Sequence, residues 1–248
     1  MQKFAGDDKK HMLLLRSIFF NIIFFSVMTI VFIVGYPLRF AHEKSRIVFA
    51  FWKYLSRILG FVTAKIGGIK YVIENEHNIL GEPAIYAIRH ESVWETLMLI
   101  CRFREPIFVL KKELLDVPLF GVLSRKVGSV AVDRGNGGSK NLINALGKVR
   151  DSVAEGHPVI IFPEGTRMAH GKYVPLKKGI ALFYQKTDCP VVPVVHNAGY
   201  FWPRRGFIKK PGVITVKFLD PIPPGLSKDE FMDRLNETFH SEIEKLKG

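Results

Sequence analysis

Residues 84–102 read AIYAIRHESVWETLMLICR. The run from Ala84 to Arg89 is a short apolar strand candidate, and it passes directly into a helical stretch from Glu91 to Arg102. One strand feeding one helix is the repeating unit of an α/β domain. Further strand candidates lie at Ile69 to Glu74, Ile107 to Leu110, Ser129 to Val132, Val159 to Phe162, Val191 to His196 and Val213 to Leu219. Helices fit between several of them, at Glu113 to Lys126, Ser139 to Glu155 and Lys178 to Lys186. The tail from Ser227 to Lys247 reads as an amphipathic closing helix, with Phe231, Leu235 and Phe239 four apart. Residues 67–248 are therefore expected to form one catalytic unit.

Before Gly67 and Gly68 the character changes. Residues 18–36, IFFNIIFFSVMTIVFIVGY, contain no charge. As a helix they extend about 28 Å, close to the hydrocarbon thickness of a bilayer. The run is longer than a signal-peptide core, and no small-x-small cleavage site follows before Pro37, which favours an uncleaved membrane segment. Residues 43–66 resume a helical pattern with Arg46, Lys53 and Arg57 on one face. Phe49, Trp52, Leu55, Leu59 and Val62 are then expected to enter the acyl boundary of an interfacial helix, the alternative being a core helix. Residues 1–66 thus read as a membrane anchor, a pair of membrane-binding helices.

The chain of 248 residues carries +13 at pH 7, which implies an anionic partner. In residues 1–66, ten Lys or Arg stand against Asp7, Asp8 and Glu43. Cations beside apolar segments suit anionic headgroups, and a nucleic acid reader would have no use for the apolar neighbour. Cys101 and Cys189 make no metal or redox spacing, so reduced thiols are expected.

Four blocks could carry chemistry. His90 follows a strand and opens a helix, where ligand sites of α/β sheets gather. A neutral imidazole there suits a general base, with Glu95 holding its other nitrogen. In a strict helix, positions five apart diverge by about 140°, so this pairing needs His90 outside the first regular turn. The second block, Phe162-Pro163-Glu164-Gly165-Thr166-Arg167, again ends an apolar strand. Gly165 permits a tight turn, Thr166 offers a hydroxyl, Glu164 braces, and Arg167 supplies a fork suited to phosphate oxygens. The third is Gly128 to Gly135, delivering Arg134 at a strand end. The fourth is Lys111 with Lys112. Together Lys111, Arg134 and Arg167 are expected to form a cationic cradle beside His90.

In order and spacing these blocks resemble the glycerolipid acyltransferase family. Its signature is a His-x4-Asp block, a Gly-to-Arg block, Phe-Pro-Glu-Gly-Thr-Arg and a Val-Pro-Val-like strand. Here they read His90 to Glu95, Gly128 to Arg134, Phe162 to Arg167 and Val192-Pro193-Val194. The chain departs at position 95, where Glu replaces the usual Asp and one methylene changes the reach. The resemblance implies a mixed central sheet flanked by helices, on the cytoplasmic face of the cell membrane. It also implies acyl transfer from acyl-CoA or acyl carrier protein to the 2-hydroxyl of 1-acylglycerol 3-phosphate, giving phosphatidate. His90 and Glu95 would be catalytic; Lys111, Arg134, Glu164, Gly165, Thr166 and Arg167 would bind substrate. Neither metal nor cofactor is implied beyond the thioester co-substrate. The alternatives are another lysolipid acceptor or a non-catalytic adaptor for anionic lipid. A serine hydrolase is disfavoured, since no Gly-x-Ser-x-Gly elbow occurs.

Overall fold

The structure, a computed structural model, describes residues 2–81, 83–132 and 138–246, with side chains at 9–81, 83–132 and 142–246. Its centre is a seven-stranded mixed sheet in the order β1-β7-β6-β2-β5-β3-β4. The strands are β1 (Ile69–Glu74), β2 (Ile85–Ile88), β3 (Ile107–Lys111), β4 (Val130–Val132), β5 (Val159–Ile161), β6 (Val191–His196) and β7 (Gly212–Phe218). All neighbours run parallel except β6 and β7. Every residue of β2, β5 and β6 is buried, as expected of parallel strands covered on both faces. β7 alternates buried and half-buried residues, in keeping with a place nearer the sheet edge.

The helices are α1 (Gln2–Gly35), α2 (Arg46–Lys65), α3 (Trp94–Met98), α4 (Phe120–Lys126), α5 (Gly138–Ala154), α6 (Gly179–Thr187), α7 (Ala198–Phe201) and α8 (Lys228–Lys245). One contiguous layer contains α5, α6 and α8, while α1, α2 and α3 pack together as another. Ser227 starts α8 with a capping box, its hydroxyl accepting from Glu230 N while the Glu230 carboxylate accepts from Ser227 N.

Three expectations are corrected. The helix expected over Glu91 to Arg102 contracts to α3 and a 3-10 turn at Leu99–Arg102. Its first amides are taken instead by side chains: Glu95 accepts from the N-H groups of Glu91 and Ser92, and Ser92 Oγ accepts from Trp94 N. The helix expected over Glu113 to Lys126 divides at Pro118, which lacks the N-H a continuous helix needs, followed by Leu119 at φ 62. A 3-10 turn at Lys112–Asp116 precedes the break, and α4 follows it.

The third correction concerns α2. Phe49, Trp52, Leu55, Leu59 and Val62 are buried in the protein, not presented to an acyl boundary. The sheet and its neighbouring helices have a large apolar area to cover, and this face covers it; Ile47, Tyr54 and Phe61 are the large apolar residues of α2 left exposed. The buried residues of α1 and α2 join those of the sheet in one cluster. α1 docks through Phe20 and Phe24, whose rings meet Trp202 edge-on at 5.2 and 4.9 Å. Its other side exposes Phe19, Ile22, Phe25, Ile30 and Ile33. Both helices are long and apolar enough to cross a membrane, and their exposed apolar residues suit association with one. Cys101 and Cys189 are free thiols.

Candidate active site

β2, β3 and β5 run parallel, so their carboxyl ends open on one side of the sheet. That edge is where open α/β sheets bind ligands. β2 delivers His90, β5 delivers Phe162 to Arg167, and β3 ends at Lys111.

His90 precedes α3 by four residues and so lies outside its regular turns. The Glu95 side chain folds back from the first turn of α3 until Oε1 is 2.8 Å from His90 Nδ1. The same carboxylate accepts from Glu91 N at 3.0 Å and from Ser92 N at 2.9 Å. With those donors fixed, the imidazole donates through Nδ1, and Nε2 keeps its lone pair. Phe162 stacks on the ring at 4.1 Å and 24°, which sets its plane.

Behind His90 lies a buried ionic layer that the sequence reading did not anticipate. Arg89 Nε donates to Glu91 Oε1 at 2.6 Å, and Arg89 Nη1 is 3.8 Å from Glu164 Oε1. Glu91 also accepts from Gly199 N at 2.9 Å. Burial works against ionisation of Glu91, but His170, His196 and Arg89 close around it and outweigh that effect, holding its pKa at about 2. His196 Nε2 donates to the Arg89 carbonyl at 2.7 Å. Every side chain of this layer except His170 is essentially sealed from water. Charged residues rarely sit there unless paired, which is why a sequence reading passes over Arg89 and Glu91 as ordinary surface charges. The available signal was their position directly after four apolar residues of a central strand.

Glu164 makes both of its contacts through one oxygen. Its Oε1 accepts from His90 N at 3.3 Å and faces Arg89, while Oε2 is buried without a hydrogen-bond partner. Burial pushes its carboxyl up to about 8, so it is largely protonated at neutral pH. It braces the backbone at His90 and does not reach the cavity wall.

The cavity in front of His90 has a volume of about 510 Å3. His90, Lys111, Gly165 and Arg167 line it together with Met28, Phe32, Phe49 and Trp52 from α1 and α2. Gly165 adopts φ 73, a left-handed conformation that favours glycine, and so turns the chain at the cavity wall. Lys111 Nζ pairs with Glu113 at 2.8 Å. Thr166 is exposed and not part of the wall. Arg134 lies outside the described residues. Of the expected cradle, therefore, Lys111 and Arg167 meet His90 around one cavity. Among the described residues no cluster of His, Cys, Asp or Glu could hold a metal ion.

The sequence profile described as Acyltransferase matches residues 70–197, more than half of the chain, and this stretch contains His90, Glu95, Lys111 and Arg167. The chain belongs to the acyltransferase family. It is 36% identical over 157 residues to a 1-acyl-sn-glycerol-3-phosphate acyltransferase of Pseudomonas aeruginosa, a match covering 63% of this chain and 60% of the relative. With the corresponding protein of Cocos nucifera it shares 28% over 192 residues, covering 74% of this chain and 61% of the relative. The chain thus spans about three fifths of the length of these curated relatives. The crystal structure of the 1-acyl-sn-glycerophosphate acyltransferase of Thermotoga maritima superposes with a TM-score of 0.72 at 24% identity, covering 97% of this chain and 99% of that one. The two share a fold, including the N-terminal helices of this acyltransferase-family chain.

Proposed function

We propose that this chain is an O-acyltransferase that moves a fatty acyl group from a thioester to the 2-hydroxyl of 1-acylglycerol 3-phosphate, giving phosphatidate. The observation that carries this reading is His90, held through Nδ1 by Glu95, on a cavity that Lys111 and Arg167 line together with apolar residues of α1 and α2. In support, the family relatives from Pseudomonas aeruginosa and Cocos nucifera carry that name.

His90 Nε2 accepts the proton of the acceptor hydroxyl as its oxygen attacks the thioester carbon. The new C-O bond forms, the C-S bond breaks, and the imidazolium returns its proton to the departing thiolate. Glu95 stabilises the imidazolium in between without becoming protonated itself. Lys111 and Arg167 hold the acceptor phosphate, joined by Arg134, and the apolar part of the cavity takes acyl chain. No acyl-enzyme and no metal or other cofactor is needed. Acceptor and product are lipids, so α1 and α2 hold the site at a membrane, with the catalytic unit on the cytoplasmic face where thioester donors occur. Glu95 reaches the ring despite its extra methylene, which supports the enzyme reading over a non-catalytic adaptor.

The test is an acceptor panel. The full chain in detergent receives oleoyl coenzyme A or oleoyl carrier protein with lysophosphatidate or with lysophospholipids bearing larger headgroups. Turnover of lysophosphatidate at the highest kcat/KM is expected. Preference for a larger headgroup would reassign the acceptor, and no product from any pair would overturn the enzyme reading.

A further inference from the structure

Arg167 also lines a second depression, of about 430 Å3, whose other lining residues lie outside all the sequence blocks. Arg167, His170, Gly199, Arg204 and Arg205 are among its lining residues. Its volume falls within the range of about 300–1,000 Å3 usual for small-molecule sites. Among the described residues, Arg167, Arg204 and Arg205 have no carboxylate partner. Three guanidinium groups around one concavity repel one another, and a phosphate oxyanion relieves that repulsion.

The depression is tied to the reaction centre. Its floor begins at Met168, whose N-H donates to the His90 carbonyl at 2.6 Å. Arg204 Nη1 donates to the Arg167 carbonyl at 3.0 Å, fixing the far wall to the near one. The wall is held from behind as well. Lys209 Nζ donates to the Gly206 carbonyl at 2.6 Å, while Lys209 N donates to Ser17 Oγ and Asn21 Nδ2 to the Phe207 carbonyl. The segment around Arg204 and Arg205 is thus anchored to α1.

Acyl transfer requires two phosphorylated substrates at one histidine. The acceptor phosphate has Lys111 and Arg167 on the cavity side. The donor, whether coenzyme A or a carrier protein, bears a phosphate ester at the end of its pantetheine arm. We infer that the depression takes this phosphate ester, with Arg204 and Arg205 as its ligands, so that Arg167 stands between the two phosphates. This assignment rests on the acyl-transfer reading and names the donor side of that same site.

The experiment compares the full chain with its R204Q/R205Q variant in detergent, after both show the same circular dichroism and melting temperature. Calorimetric binding of free coenzyme A is measured beside KM for oleoyl coenzyme A, oleoyl carrier protein and lysophosphatidate. Expected is a rise of about tenfold or more in the Kd for coenzyme A and in KM for the donor in use. The KM for lysophosphatidate and kcat at saturation should stay within twofold. Should coenzyme A not bind the parent while the carrier protein turns over, the carrier-protein KM decides alone. An active parent whose variant keeps unchanged donor constants sinks the depression's role and leaves the enzyme reading intact. A rise confined to lysophosphatidate also overturns it, by assigning the depression to the acceptor. A parent inactive with every donor removes both.

Discussion

Glu95 holds His90 by reaching backwards: its Oε1 sits 2.8 Å from His90 Nδ1 while accepting from the Glu91 and Ser92 amides at 3.0 and 2.9 Å. The three donors converge on one carboxylate that is sealed from water. The longer side chain at this position is therefore built into the turn before α3. It sets the imidazole tautomer and the local backbone at once.

Substitutions at Glu95 should separate these two jobs. Glu95→Gln keeps the volume but replaces one acceptor oxygen by a donor, so kcat is expected to fall by roughly 100- to 10,000-fold with little change in either KM. Glu95→Asp withdraws the carboxylate by one methylene, and it can no longer satisfy both the ring and the amides. A loss of about tenfold in kcat follows, worth ~1.4 kcal/mol of transition-state stabilisation. Steady-state kinetics on folded variants checks both; an aspartate variant as fast as the parent would show that the reach of Glu95 is immaterial.

Glu164 predicts a pH dependence of stability. Its folded pKa of about 8 stands above the ordinary 4.5, so the folded state binds a proton that the unfolded state has released between those values. The stability it contributes is complete below about pH 4.5 and is lost as pH rises through 8, at about 1.4 kcal/mol per unit within that window. Glu164→Gln removes the titrating group and should flatten the decline. Denaturant midpoints from pH 5 to 9 in detergent test this, and parallel profiles for parent and variant would contradict it.

Neighbouring residues on α1 should behave oppositely. Phe20 is fully buried against Trp202, and Phe20→Ala is expected to lower stability by about 3 kcal/mol. Phe19 is 60% exposed, and Phe19→Ala should leave the melting temperature unchanged while weakening sedimentation with anionic vesicles. Equal effects on both readouts would mean that α1 does not present one face to the protein and another to lipid.

Met28 brings α1 to the wall of the cavity in front of His90. Met28→Trp fills space at that end, so the preferred acyl donor should shorten by a few carbons, with little loss of rate on the shorter chains. A panel of acyl donors of graded length provides the readout. An unchanged preference would place the acyl chain elsewhere.

The strands were legible because they are β-branched runs bounded by glycine, proline and charge: β1 and β6 match their expected limits residue for residue. Where side chains compete for backbone amides, the pattern misleads. Glu95 and Ser92 delay α3, an effect no periodicity records, whereas the break before α4 is written in the sequence as Pro118. Hydrophobic spacing on α2 showed which face seeks an apolar surface but not whether lipid or protein supplies it. At the site, His90, Lys111 and Arg167 could be named from strand ends. The layer of Arg89, Glu91 and His196 could not, because buried charges are recognised by their partners, and those partners are far apart in sequence.

His90 is the proposed base for acyl transfer to lysophosphatidate. Its most direct test is the rate of phosphatidate formation from labelled oleoyl thioester and lysophosphatidate by the parent and by His90→Ala, both shown to be folded and lipid-bound. Product is expected with the parent and none above the enzyme-free blank with the variant. A variant that retains activity within a few-fold of the parent would contradict it.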